Sequence, residues 1–350
     1  MMTFRQFSAP DFRSVPLATT WSLAELGQAL GRQELFTRQS PQKLKKLREH
    51  ALIESAVASN RIEGVTVEPA RAATLVFGAP ALRDRDEEEV RGYRDALTLI
   101  HQRGRDLPIT EATIRDLHHI TRGQIWDAGR YKEKGEPIVE HLPDGRARVR
   151  FMPVEAGAAT DAAMAELVER CNVSVRDRVV PPLVAVGAFG LDFLCVHPFR
   201  DGNGRVSRLL MLLLCYHAGA EVGRYISLER LVEQNKDRYY ETLEESSQGW
   251  HEGSHNPWPF IHYVLWVLKT AYAEFENRLG KVKAARGEKS QVVVDAIARL
   301  PGDFSIAQVQ QQCPGVSVDL IRKLLHDLRQ QGKLECVGRG PNAMWRKTGG

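Results

Sequence analysis

The stretch HPFRDGNGRVSR, from His197 to Arg208, decides how the rest of the chain is read. It holds one imidazole, one carboxylate, a Gly-Asn-Gly turn and the two arginines Arg205 and Arg208. An apolar run, AVGAFGLDFLCV, leads into it and another, LLMLLLCYHAGA, leads out, which predicts two buried helices joined by a polar loop. Asp201-Gly202-Asn203-Gly204 then opens the second helix. A glycine-rich turn at a helix N-terminus presents unpaired N–H groups and the positive end of the helix dipole, and both favour phosphate. Arg205 and Arg208 lie one turn apart and can add charge-assisted contacts to an anion. Each of these residues alone fits a cap, a turn or a core position. Together, between apolar helices, they predict a polyphosphate cradle with a base, His197, at one rim and a hard carboxylate, Asp201, beside it.

The composition sets wide bounds. With 350 residues the chain has room for two or three compact units. A hydrophobic share of 43% and a charged share of 26% are those of an ordinary globular protein, and a net charge of +4 permits nucleic-acid contact without arguing for it. The five cysteines form no Cys-x-x-Cys pair, so neither a zinc site nor a disulfide framework is expected, and a reducing, cytoplasmic setting is. No signal peptide and no membrane span are expected.

Along the chain, residues 1 to about 20 read as an irregular arm packed on the body, or as partly disordered. A helix is predicted near 21–32 with Ser22 as its N-cap, and a long one from about 42 to the segment SNRIEG at 59–64. The run RDRDEEEV (83–90) reads as a solvated helix start, and Thr110 as the N-cap of the next helix. The adjacent His118 and His119 face different ways on that helix and read as core or surface residues, not a metal pair. PIVEHL and ARVRFMP, around Pro143-Asp144-Gly145, predict a hairpin. Helices follow at 155–172, from Pro181-Pro182 to the motif, and at 257–279. KVKAARGEKS (281–290) reads as a connector. Three helices and a glycine-rich hairpin then have the order of a winged helix-turn-helix, with Arg322, Lys323, Arg339 and Arg346 able to face DNA. A protein-binding or dimerising role for this unit stays open beside DNA.

HPFRDGNGRVSR resembles the signature of the Fic (filamentation induced by cAMP) family, His-x-Phe-x-Asp/Glu-Gly-Asn-Gly-Arg-x-x-Arg, at every specified position. The resemblance implies a mainly α fold: a helical region at 1–108, a Fic-type core at 109–280 with a β-hairpin flap at about 136–153, and the winged helix at 288–350. It implies a protein adenylyltransferase using ATP and Mg²⁺. His197 would be the general base for a Ser, Thr or Tyr hydroxyl of a target protein, and Asp201 the Mg²⁺ ligand. Gly202, Asn203, Gly204, Arg205 and Arg208 would bind phosphates, Phe199 would anchor the loop, and Asn235 and Tyr240 would reach the base. Ser59-Asn60-Arg61-Ile62-Glu63-Gly64 resembles the family's inhibitory motif, so a helix at about 42–64 would set Ser59, Glu63 and Gly64 against Arg208, where Glu63 competes with the γ-phosphate. Self-modification and a homodimer are partners the family suggests. Removal of AMP, transfer of another nucleotide, and a nucleotide-sensing DNA-binding regulator stay open as alternatives.

Overall fold

A computed structural model describes residues 2–9, 14–37, 41–141, 146–281, 288–300, 302–313, 316–338 and 343–348. Among these the chain is mainly α, with fifteen α-helices, a two-stranded and a three-stranded sheet. It divides into two units, Met1–Gly31 with Lys45–Phe275, and Arg32–Leu44 with Glu276–Gly350. Among the described residues no helix is long and apolar enough to cross a membrane. The hairpin turn at Pro143-Asp144-Gly145, the middle of the connector (282–287) and Arg339 lie outside the described residues.

The first unit contains α1 (Thr3–Phe7), most of α2 (Leu17–Thr37) and α3 (Pro41–Ile62), α4 (Pro69–Phe77), α5 (Arg85–Arg103) and α6 (Glu111–Arg122). The hairpin β1 (Ile138–His141) and β2 (Ala147–Phe151) follows, then α7 (Ala158–Arg176), α8 (Pro182–Val196), α9 (Asn203–His217), α10 (Leu228–Gln234), α11 (Lys236–Ser247) and most of α12 (Trp258–Lys281). Helix α8 is apolar all round, and Leu183 to Val196 are all buried, as a helix surrounded by others must be. Its glycines set the spacing. A Cβ on Gly190 would lie 2.6 Å from Met211 Sδ, and one on Gly187 3.0 Å from Ile261 Cα.

Three expectations need correction. Residues 2–9 pack on the body, but they are not irregular: Thr3–Phe7 form α1, docked by Asp192 of α8, which accepts hydrogen bonds from Thr3 N (2.9 Å), Thr3 Oγ1 (2.7 Å) and Trp250 Nε1 (2.8 Å). Burial pushes that carboxyl up to about 6 in spite of these donors. Helix α2 begins at Leu17, so Ser22 lies inside it and caps nothing. The acidic run is a helix start, with Asp84 accepting from Glu87 N at 2.9 Å, but Glu87 and Glu89 are buried, not solvated.

In the second unit α13 (Glu288–Arg299), α14 (Ile306–Gln312) and α15 (Val318–Gln330) pack on an antiparallel sheet of β3 (Phe304–Ser305), β4 (Leu334–Val337) and β5 (Met344–Lys347), in the order β3-β5-β4. Val293, Phe304, Val309, Ile321, Leu325 and Trp345 are in its core. Ser305 and Gln308 form a reciprocal capping box at the start of α14. The outer face of α15 exposes Arg322, Lys323, His326 and Arg329. Arg346 is held by Asp303 at 2.6 Å and Glu335 at 3.4 Å.

Candidate active site

Helix α8 ends where the motif begins. His197 is its C-cap residue and adopts a left-handed conformation (φ 50°, ψ 62°), which turns the chain out of the helix. For a residue with a Cβ this conformation costs about 1 kcal/mol or more. The His197 Nδ1 lies 3.3 Å from Leu194 O, the geometry of an Nδ1–H donor, which leaves Nε2 as the basic nitrogen. Burial, and then the charge of Lys132, push the imidazole down to about 4, so it is neutral throughout the physiological range. Lys132, itself buried, donates its Nζ to Val196 O at 2.9 Å and satisfies one of the helix's terminal carbonyls.

The loop is held from behind by three groups. Phe199 is buried and stacks on His118, with ring centroids 3.7 Å apart and planes within 2°. His118 Nδ1 accepts from Gly129 N at 2.8 Å, so its Nε2–H donates to Asp201 O at 3.0 Å. Asn203 closes a ring with Phe199: its Oδ1 accepts from Phe199 N (2.9 Å) and its Nδ2 donates to Phe199 O (2.7 Å). The Asn203 side chain is therefore a staple of the loop, and its backbone N–H is the group left for an anion.

Helix α9 starts on Gly202, whose φ of +83° an L side chain would resist. The first helical hydrogen bond runs from Val206 N to Gly202 O at 3.0 Å, so the N–H groups of Asn203, Gly204 and Arg205 have no acceptor within the helix. The two arginines part ways. Arg208 lines an open cavity of about 380 Å³ together with His197, Gly204, Glu63, Tyr239, Tyr240 and the flap residues Ile138, Arg150 and Phe151. Arg205 is not among the residues that line it; it is buried against Glu89 and Asn60, whose Oδ1 accepts from Nη1 at 3.2 Å. The two guanidiniums thus have different surroundings, although their residues lie one turn apart on α9.

Helix α3 supplies the opposing wall. Arg208 Nε donates to Ser59 Oγ (2.8 Å), and its Nη2 to Ser59 O (2.8 Å) and Glu63 Oε1 (2.9 Å). Burial works against the guanidinium's charge, but the Glu63 carboxylate, with Tyr239 and Tyr93 beside it, outweighs this and the net shift is upward. Arg208 Nη1 is buried without a hydrogen-bond partner, 3.3 Å from where a Cβ on Gly204 would stand, so one donor remains beside the open end of α9. That same Cβ would run into Glu63 Oε1, so Gly204 provides the room in which Glu63 sits. Gly64 leaves the helix at φ +84°. The end of α3 is pinned by Lys236 Nζ on Ile62 O (2.7 Å) and by Arg61 with Glu233 (2.8 Å), and its middle by Ser55 Oγ on Glu229 Oε2 (2.6 Å).

Asp201 is not among the residues that line the cavity; it stands just before the start of α9, its side chain 56% exposed. Its Oδ1 accepts from Gly202 N at 2.6 Å and its Oδ2 lies 2.9 Å from Arg122 Nη1. Burial raises its carboxyl, but Arg122 and then Arg205 overcome this and hold it below the ordinary carboxylate range. Among the described residues no group of three His, Cys, Asp or Glu could hold a metal unaided. Asn235 lies away from the cavity, donating its Nδ2 to Leu231 O at 2.9 Å, whereas Tyr240 lines it, beneath the Arg150 guanidinium at 5.5 Å. Glu89, Arg122 and Lys132 support this region and were not singled out by the sequence reading; His118, read as a core or surface residue, is buried behind the loop.

The flap strands pair antiparallel, Val139 opposite Val149 and Glu140 opposite Arg148, with an irregularity between Ile138 and Val139. Arg148 Nη2 donates to Glu244 at 3.0 Å, tying the hairpin to α11. Ile138, Val139, Arg150 and Phe151 of this hairpin line the cavity.

The site thus joins the open N–H groups of a buried helix start, a neutral histidine beside them and a carboxylate-bearing helix across the cavity. The model of the Fic/DOC family matches residues 108–215, and this part of the chain is a Fic domain. The chain is 24% identical over 232 residues to a protein adenylyltransferase Fic of Nematostella vectensis, covering 63% of this chain and 48% of that protein. It is 24% identical over 278 residues to the protein of the same name in Drosophila persimilis, covering 75% and 50%. The chain thus spans about half the length of these curated relatives. Among solved structures it resembles a Fic family protein of Desulfovibrio desulfuricans G20, with a TM-score of 0.61 and 22% identity over 96% of this chain and 98% of that one. It also resembles Fic-1 of C. elegans, with a TM-score of 0.57 and 18% identity over 75% and 74%. These structural likenesses concern the fold.

Proposed function

We propose that the chain is a protein adenylyltransferase held back by its own α3. The observation that carries this is the shared cavity. The basic nitrogen of His197, the open start of α9, the spare donor of Arg208 and the flap edge all meet around one space, and Glu63 occupies part of it. A nucleotide triphosphate would lay its phosphates over the N–H groups of Asn203, Gly204 and Arg205 and reach Arg208 with its outermost phosphate. A Ser, Thr or Tyr hydroxyl, presented by a target backbone added to the flap edge, would attack the α-phosphorus in line. The hydroxyl proton passes to His197 Nε2, a P–O bond to AMP forms, the bond to the bridging oxygen breaks, and pyrophosphate leaves. The helix dipole and N–H groups stabilise the charge on the phosphates without rearranging.

Asp201 is ionised and more than half exposed, and Mg²⁺ bound with a nucleotide needs few protein carboxylates because phosphate oxygens and water complete its shell. The residues present therefore fit the ion, with Asp201 as its protein ligand. When bound, Mg²⁺ would neutralise phosphate charge. The five cysteines, none paired, suit a reducing compartment.

The test is retention of label. With ATP carrying ³²P at the α-position, protein-bound label should appear on a target or on the chain itself; with ³²P at the γ-position none should. Retention of γ-label would replace this reading with phosphate transfer.

A second activity is favoured by one observation, the exposed row Arg322, Lys323, His326 and Arg329 on α15. We propose that this face contacts DNA, although Arg322 is paired with Asp319 at 3.4 Å and Arg346 with two acids. Retention of the full chain on duplex DNA should fall as salt rises, with a slope reduced by about one for each of these basic residues removed. No retention at low salt would exclude it.

A further inference from the structure

Glu89 brings a buried carboxylate to the motif from a different part of the chain. Its side chain is 6% exposed and touches three guanidiniums: Arg122 Nη1 at 2.8 Å, Arg85 Nε at 3.0 Å, and Arg205 Nη1. The same three surround Asp201, Arg122 at 2.9 Å, Arg205 at 3.8 Å and Arg85 at 4.0 Å. One nitrogen, Arg122 Nη1, is shared between the two acids. The cluster therefore sets two carboxylates against three cations, and the side chains of Arg122 and Arg205 are only 2% exposed. Buried guanidiniums must be paired. Of these five groups, Glu89 is the acid that meets the demand from inside, which leaves Asp201 with one close contact, to Arg122, a loose one to Arg205, and a side chain more than half exposed.

We propose that Glu89 is a positioning residue for Asp201: by taking up the charge of Arg205 and sharing Arg122, it weakens the hold of these cations on Asp201 and so lets it bind a divalent cation together with a nucleotide. Without the Glu89 charge, both buried arginines have Asp201 as their acid. Asp201 would be drawn onto them, and the potential at its oxygens would become more positive. The cation should suffer and the anionic nucleotide should not. This inference rests on the reading of Asp201 as the Mg²⁺ ligand.

The experiment measures ATP binding to the full chain by calorimetry in the Glu63→Gly background, in EDTA and across a Mg²⁺ series. In Glu89→Gln the Mg²⁺ concentration that gives half of the tightening should rise about tenfold or more, the effect of one unit charge a few ångströms away in a partly shielded site. ATP affinity in EDTA should stay the same or improve. Glu89→Asp, which keeps the charge, should stay near the parent. Arg122→Gln, which removes a cation instead, should move the midpoint the other way, and it gives an independent reading if Glu89→Gln does not fold. An unchanged midpoint in Glu89→Gln, an equal loss with and without Mg²⁺, or a raised midpoint in Arg122→Gln would overturn the role of Glu89. A parent that binds ATP with no response to Mg²⁺ would instead overturn the metal role of Asp201, and this inference with it.

Discussion

Replacing Glu63 by glycine should raise incorporation of α-label on the order of ten- to a hundredfold. The carboxylate takes one of the Nη2 contacts of Arg208 at 2.9 Å and stands over Gly204, where the end of a triphosphate would lie. Its side chain is 31% exposed, so solvent screens part of the attraction. A coupling of about 1.5–3 kcal/mol is a reasonable share of the roughly 4 kcal/mol that a pair at 4 Å gives in a partly shielded cleft, and it corresponds to the factor stated. Loss of Glu63 removes the competing anion and leaves the two Ser59 contacts that keep Arg208 in place. The gain should be seen as tighter ATP binding as well as faster labelling. If Glu63→Gly binds ATP no better than the parent chain, α3 is not the brake.

Replacing His197 by asparagine should cut labelling by about 10²–10⁴, the range for loss of a positioned general base. Asparagine is preferable to alanine here because it tolerates the left-handed conformation that His197 adopts, so a loss of activity would not be a loss of the loop. The pH dependence adds a second reading. A base works when unprotonated, so the rate rises as pH passes upward through its pKa. Burial and Lys132 set that pKa at about 4, below the ordinary 6.5. In the Glu63→Gly background, labelling should therefore be flat through neutral pH and fall only on approach to pH 4. An acid limb near 6.5 would mean that His197 is solvated during turnover, or that another group is the base.

Much of this site was legible because a helix period and a glycine turn are local. The run-in and run-out of the motif become α8 and α9, Pro181-Pro182 and Thr110 begin their helices, and the segment at 59–64 reaches Arg208. Local pattern does not say which helices meet. Arg205 and Arg208 share a helix, yet one meets Glu89 and the other a cavity, because α5 lies against α9 on one side only. A signal for Glu89 was present: with Tyr93, Ala96 and Ile100 it falls on the buried stripe of α5, and an acid on such a stripe needs a partner. Reading RDRDEEEV by its charge hid that position. For Asn203 the pattern left the part played by the side chain undecided. An Asn in a glycine turn can bind an anion or close the turn, and only the backbone of Phe199, brought within reach, decides for the second.

The conformation of His197 has a consequence for how the chain could change over time. One residue both ends α8 and carries the basic nitrogen, and it holds a backbone shape that glycine or asparagine would adopt more cheaply. Substitution there by either should leave the fold as stable or more so, and should remove the chemistry. A search for sturdier variants that scored stability alone would be drawn to this position and would return an inert protein. At residue 197, durability and activity select opposite residues.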